Sequence, residues 1–475
     1  MSKLNRDILY LIFEELQNDK RSLSSCLSVN KIWCEIIIPI LWKNPWKYLK
    51  HKEKELLLLN VIISHLSDES KNNLKSQGWT NSYQRPLFDY ISFCRHLNLY
   101  KIKIIIERSA SDEESISILE NEIFNLFINE NIKYKHLYIP IQFNYPIHLN
   151  PKAKHCFSDI EFLSCHASIN DNILIGLTEI CKYVKEINLF IGLFNNNYGI
   201  VNLIEAQKNL QNIRFIDYYQ QNRDESFCII LENSLIEHAN TVQNLKITKP
   251  FKIIPSFFVN LKRLELGDTY IKLMEWDYLE KSSLPFLRVL KASNVPIKVL
   301  TSLIKSTSGY LIEINIDYIN HDDVNNKRII QAIYQNCPRL NYLKLLIRNS
   351  NILELEKLLN NCHYLNGLCI IVDRNIMINW NGLFQTLAKS SPASLFKFKL
   401  CSNSFKEYNL DSLKVFFDNW NDRHPILLQT IRIFTNHKNI NNLIIKYKEK
   451  GIVKKYDNDI SGTTFDEFEW IQKKS

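Results

Sequence analysis

Apolar residues near the start of the chain recur at helical spacing. Leu4, Ile8, Leu9, Ile12, Phe13 and Leu16 return every three or four positions, with Asp7, Glu14 and Glu15 on the other face. This spacing predicts a short amphipathic helix, and Asn5 is placed to cap it. After the polar break from Gln17 to Arg21, a second helical pattern runs through Leu23, Cys26, Leu27, Asn30 and Trp33. The next run, Ile36-Ile37-Ile38-Pro39-Ile40-Leu41-Trp42, is too apolar for a solvated end. A unit of about 45 residues cannot bury so many large hydrophobes by itself. The excess predicts a partner.

Residues 46–90 read as a linker of one or two helices, with Leu56 to Leu59 and Val61 to Ile63 as its apolar stretches and the lysines from Lys43 to Lys54 as a solvated face. From Cys94 onward the period changes. Apolar residues fall at positions 1, 4 and 6 of successive short segments: Cys94/Leu97/Leu99, Tyr134/Leu137/Ile139, Phe157/Ile160/Phe162, Val184/Ile187/Leu189 and so on to Leu395/Phe398/Leu400 and Leu428/Ile431/Ile433. The triplets recur about every 28 residues, within the range expected of leucine-rich repeats. Each alternates as a short strand with one buried face requires, and helical patterns lie between them, as at Ile329, Ile330, Ile333 and Tyr334. The predicted fold is α/β: a short all-α module (1–45), the helical linker, an irregular solenoid of strand–helix repeats with a parallel sheet on its concave face (91–440), and a carboxyl-terminal cap or tail (441–475).

Composition narrows the chemistry. Ten glycines in 475 residues are few, and none stand close enough together to form a phosphate-cradling loop or a nucleophile elbow. Eleven scattered cysteines, odd in number and never spaced CxxC, fit a reducing cytoplasmic or nuclear setting better than a disulfide framework. The net charge of +9 is a mild excess that selects no partner, and no run is long enough to span a bilayer. The dipeptides His155-Cys156 and Cys165-His166 match no usual zinc spacing, and no nucleophile–base set stands out. The expectation is a non-catalytic protein with no metal or cofactor. The lysines near the carboxyl end are interleaved with acids, so nucleic acid is an unlikely ligand.

The first 45 residues resemble an F-box. Leu4, Asp7-Ile8-Leu9, Ile12-Phe13, Leu16, Leu23, Val29, Trp33 and Leu41-Trp42 match the family pattern at corresponding offsets. Asn5, Ser22 and Asn30 depart from it, and Ser22 remains able to cap the second helix. The repeats resemble the cysteine-containing leucine-rich repeats often joined to F-boxes, with Asn336-Cys337 and Asn361-Cys362 just ahead of a strand. The resemblance implies that the module binds a Skp-family adaptor and through it a cullin-RING ubiquitin ligase, while the repeats hold a protein target. Leu4, Ile8, Leu9, Ile12, Phe13, Leu16, Leu23, Val29 and Trp33 are then the adaptor contacts. Alternatives are a repeat scaffold with no ubiquitin link and, less favoured, a nucleic-acid-binding repeat protein. Residues between the strand leucines point to the concave face. Among them Lys344, Lys397, Lys399 and Arg432, with Tyr342 and Phe434 as apolar anchors, are the candidates for contacting an acidic or phosphorylated target.

Overall fold

The computed structural model describes residues 5–49, 51–76, 79, 85–109, 112–141, 143–191, 197–217, 225–248, 257–267, 276–317, 322–372, 378–402, 410–431 and 437–459. It is an α/β structure with fourteen strands and seventeen α-helices among the described residues. The chain divides into two compact units, residues 1–213 and 214–475.

The first unit opens with three helices: α1 (Arg6–Glu15), α2 (Lys20–Leu27) and α3 (Lys31–Trp42). Asn5 caps α1 as expected, its side chain accepting from the Asp7 N–H, and Asn30 caps α3 by accepting from the Trp33 N–H at 2.9 Å. The cap of α2 is Asp19, not Ser22. Its carboxylate accepts the Ser22 N–H at 3.2 Å and the Ser22 hydroxyl at 2.7 Å, since a carboxylate one turn earlier reaches both donors. Leu9, Phe13, Leu23, Ile36 and Ile37 form the core of the three helices. Trp46 fastens them to the first repeat: it is buried, and its indole N–H donates to the His96 carbonyl at 2.6 Å.

Helices at Lys52–Ser64 and Asp68–Ser76 fill the predicted linker. The strands of this unit are β1 (His96–Asn98), β2 (His136–Tyr138), β3 (Phe162–His166) and β4 (Glu186–Ile191); β5 (Asn212–Asp217) crosses the boundary. Those of the second unit are β6 (Asn244–Ile247), β7 (Arg263–Leu266), β8 (Val289–Ser293), β9 (Glu313–Asp317), β10 (Tyr342–Leu346), β11 (Gly367–Val372), β12 (Lys397–Ser402), β13 (Ile426–Ile431) and β14 (Val453–Asp459). Within each unit successive strands pair in parallel, β1 to β4 in the first and β6 to β14 in the second. The repeats therefore continue past residue 440, where a cap was expected, through a helix at His437–Glu449 into β14.

Positions 1, 4 and 6 are the core. Val184, Ile187 and Leu189, like Leu340, Leu343 and Leu345, are all buried. Two triplets are out of step with the sequence reading. In β3 the buried set is Ile160, Leu163 and Cys165, with Leu163 opposite Leu137, so Phe162 falls on the other face and Phe157 ends the preceding helix. In β13 Leu428 pairs with Phe398 and so holds position 4, Thr430 holds position 6, and Ile431 lies on the opposite face beside Cys369 and Cys401. A slip of three residues moves one apolar side chain onto another's place, and apolar spacing alone does not detect it.

A backbone device repeats at position 2. The carbonyl there accepts two amides from the next repeat, position 2 and position 3. Lys135 O takes the Glu161 and Phe162 N–H groups at 2.9 and 3.0 Å, and Lys262 O takes those of Arg288 and Val289 at 2.8 and 3.0 Å. Position-2 side chains of consecutive repeats consequently stand side by side. Where β7 ends, Gly267 adopts φ +73° with its α-carbon facing the Ser293 carbonyl; a β-carbon would lie 1.9 Å from that oxygen, so only glycine fits.

Candidate functional site

The expected adaptor contacts separate into two groups. Leu9, Phe13 and Leu23 face inward and are buried, and Trp33 is half-buried with its ring edge-on to Phe13 at 5.1 Å. Leu16 is also half-buried against this core. These residues hold the three helices together. Ile8, Ile12 and Val29 are exposed at 47%, 43% and 56%, and so are Leu11 at 60%, Ile32 at 47% and Tyr10. Leu4 lies outside the described residues. Leu11 and Ile32 were missed because α1 and α3 carry apolar residues on more than one side, and periodicity does not say which side meets its own chain.

A single exposed leucine is ordinary on a protein surface. Six large apolar side chains exposed within residues 8–32, around an already complete core, are more than a solvated cap needs. Polar groups are sparse between them. Arg6 pairs with Glu35 at 3.5 Å, and the Tyr10 hydroxyl donates to Glu14 at 3.4 Å.

The expected target face is of a different kind. Lys344 and Lys399 are buried at 2% and 1% exposure. Lys344 forms an ion pair with Asp317 of the neighbouring strand. Burial alone lowers the pKa of its ammonium, but the Asp317 carboxylate, with the thiols of Cys369 and Cys401, outweighs that, and the net shift is upward. Cys369 and Cys401 lie 3.5 Å apart, sulfur to sulfur, in a small buried cluster with Ile431, and half-buried Tyr342 packs on it. Lys397 donates to the Tyr342 hydroxyl at 3.3 Å and sits over its ring at 5.5 Å. Arg432 and Phe434 lie outside the described residues. In the earlier repeats of the second unit the charges of this face satisfy one another: Glu265 takes Lys246 at 3.8 Å and Arg263 at 3.3 Å, and Glu313 takes Lys291 at 3.7 Å. Alternation sets Lys344 and Lys399 on the side of their strands away from the leucines, but does not reveal how deeply both are buried.

In the first unit the same face carries rings. His96 and His136 stack at 3.7 Å, and Phe162 adjoins His136 at 5.5 Å and Tyr138 at 5.0 Å. Burial, then the neighbouring His136 and the lysines Lys43 and Lys47, push His96 down to about 3, and burial lowers His136 as well.

Among the described residues no group of three or more His, Cys, Asp or Glu side chains is placed to hold a metal ion, and no helix is long and apolar enough to cross a membrane. No family model matches the chain, and no curated protein matches it. Among solved structures it is similar to a crystal structure of a protein from Bacteroides fragilis, with a TM-score of 0.29 and 12% sequence identity over 52% of this chain. The match covers 65% of that protein's length, just under two thirds.

Proposed function

We propose that the chain is the substrate-recognition subunit of a cullin-RING ubiquitin ligase, with α1–α3 as an F-box docking a Skp-family adaptor and the strand–helix units as leucine-rich repeats that hold a protein target. The observation that carries this reading is the exposed set Ile8, Leu11, Ile12, Val29 and Ile32 on a module whose core is already closed. A few side chains at the desolvated centre of an interface supply most of its energy, about 2 kcal/mol or more for the best placed. The chain contributes no chemistry of its own in this role. It raises the effective concentration of a target beside a ubiquitin-loaded enzyme.

Charge placed on the exposed set tests the reading. The double variant Ile8→Asp, Ile12→Asp is expected to lose co-purifying adaptor while its thermal unfolding stays within a few degrees of the parent. Phe13 serves as the contrast: Phe13→Ala opens a cavity in a closed core and destabilises the module by about 3–5 kcal/mol. Adaptor capture that survives the double aspartate variant, or no adaptor with the parent chain, refutes the assignment.

A further inference from the structure

Position 2 of each repeat sets side chains of adjacent strands beside one another, and two sets of neighbours there differ in how their charges are met. In the first unit two of the cations there are neutralised from within: Glu161 lies between Lys135 at 2.8 Å and Lys185 at 3.0 Å, and these two lysines hold its carboxyl below the usual range, while Arg95 donates to the Ser92 and Cys94 carbonyls. In the second unit Lys262 and Arg288 occupy position 2 of consecutive strands, with Arg263 opposite Val289 in the ladder and the Arg288 N–H bonded to the Lys262 carbonyl. Like charges on neighbouring strands repel. Lys262 reaches only the neutral Gln243 side chain, at 2.9 Å, and among the described residues no carboxylate pairs with either cation.

These cations line a groove of about 430 Å³ together with Gln243, Asn260, Phe286 and Tyr310. Phe286 is 51% exposed, Tyr310 is exposed beside it with ring centroids 6.2 Å apart, and the Arg339 guanidinium lies over Tyr310 at 5.4 Å. An unpaired guanidinium next to an ammonium is a receptor for a carboxylate, and the two uncovered rings are a receptor for an apolar side chain.

We propose that this groove binds a protein segment in which an aspartate or glutamate stands next to a large apolar residue, the partner's carboxylate taking between Lys262 and Arg288 the role that Glu161 takes between Lys135 and Lys185. Single-stranded nucleic acid fits less well, because it needs cations repeated along its phosphates. Position 2 continues from Arg288 through Ile312, Asn341 and Asn366, none of them basic. The proposal deepens the reading of the repeats as the target-binding part. It is independent of the adaptor, so failure of adaptor capture leaves its test untouched.

The test is selection of random displayed twelve-residue peptides on the full chain and on the Arg288→Glu variant, then titration of the best peptide, fluorescently labelled. The parent is expected to enrich acidic residues beside apolar ones. Arg288→Glu and, separately, exchange of the peptide's acid for its amide are each expected to weaken binding at least tenfold. Arg288→Glu also gives Lys262 the internal partner it lacks, so its melting temperature is expected to equal or exceed the parent's, which separates lost binding from lost folding. Failure to enrich peptides, enrichment without acids, binding indifferent to Arg288→Glu, or displacement of the peptide by low concentrations of oligo-dT overturns the proposal.

Discussion

Removing the carboxylate of Asp317 asks whether Lys344 is structural or available to a target. The two side chains are 10% and 3% exposed, so the ammonium has little water to turn to once its counter-charge is gone. Taking away one member of a buried pair leaves an uncompensated charge and costs about 3–5 kcal/mol. Asp317→Ala is therefore expected to lower the urea midpoint by about 1–2 M at ordinary denaturant slopes. It should also accelerate amide exchange in β9 and β10 by about 10² to 10⁴, since each 1.36 kcal/mol is a factor of ten. Replacing both members, Asp317→Leu with Lys344→Met, removes the charge and the need for it together, and most of the loss should return. The ammonium's pKa is raised in the folded state, so its contribution is intact below the unfolded lysine value near 10.4 and fades only as pH climbs through the folded value. An Asp317→Ala protein with unchanged exchange in β9 and β10 refutes the argument; Lys344 would then be solvated in solution and free to meet an acidic ligand.

Two further outcomes rest on local geometry. Gly267→Ala forces a β-carbon against the Ser293 carbonyl in a left-handed conformation and is expected to destabilise the second unit by at least about 1–2 kcal/mol in thermal unfolding, whereas Gly451→Ala, whose β-carbon meets no atom within 4 Å, should bring only the backbone penalty. His96 is held neutral in the folded chain but takes a proton near pH 6.5 when unfolded. The unfolded state thus binds more protons between about 6.5 and 3, and stability falls as pH drops through that window. His96→Gln should flatten the fall in melting temperature between pH 7 and 4; an unchanged slope would show that His96 is not the group responsible.

The repeat was legible because positions 1, 4 and 6 are buried in almost every unit, and burial imprints itself as leucine, isoleucine and phenylalanine. Its register was less legible at β3 and β13. There Phe157 and Ile431 imitate strand positions while belonging to a helix end and to the opposite face. In α1 the sequence marked both Ile12 and Phe13 as apolar, and only packing against Leu23 and Ile37 tells which one is spent on the core. The charged face was located by alternation, but its internal pairing depends on which strand stands next to which, and so did the groove at Lys262 and Arg288. The missing signal there was comparative: one column of the repeat contains Glu161 between two lysines, and its counterpart contains two cations and no acid.

The doubly accepting carbonyl at position 2 bears on how such a chain changes length. Most repeats offer their successor one carbonyl that accepts two amides, just as they donate two amides to the carbonyl before them, so a whole module can be duplicated or excised and the severed edges still find matching partners. Growth then proceeds in quanta of one module, and the helical extras that vary the spacing accumulate outside the ladder, where they disturb nothing that the next module reads.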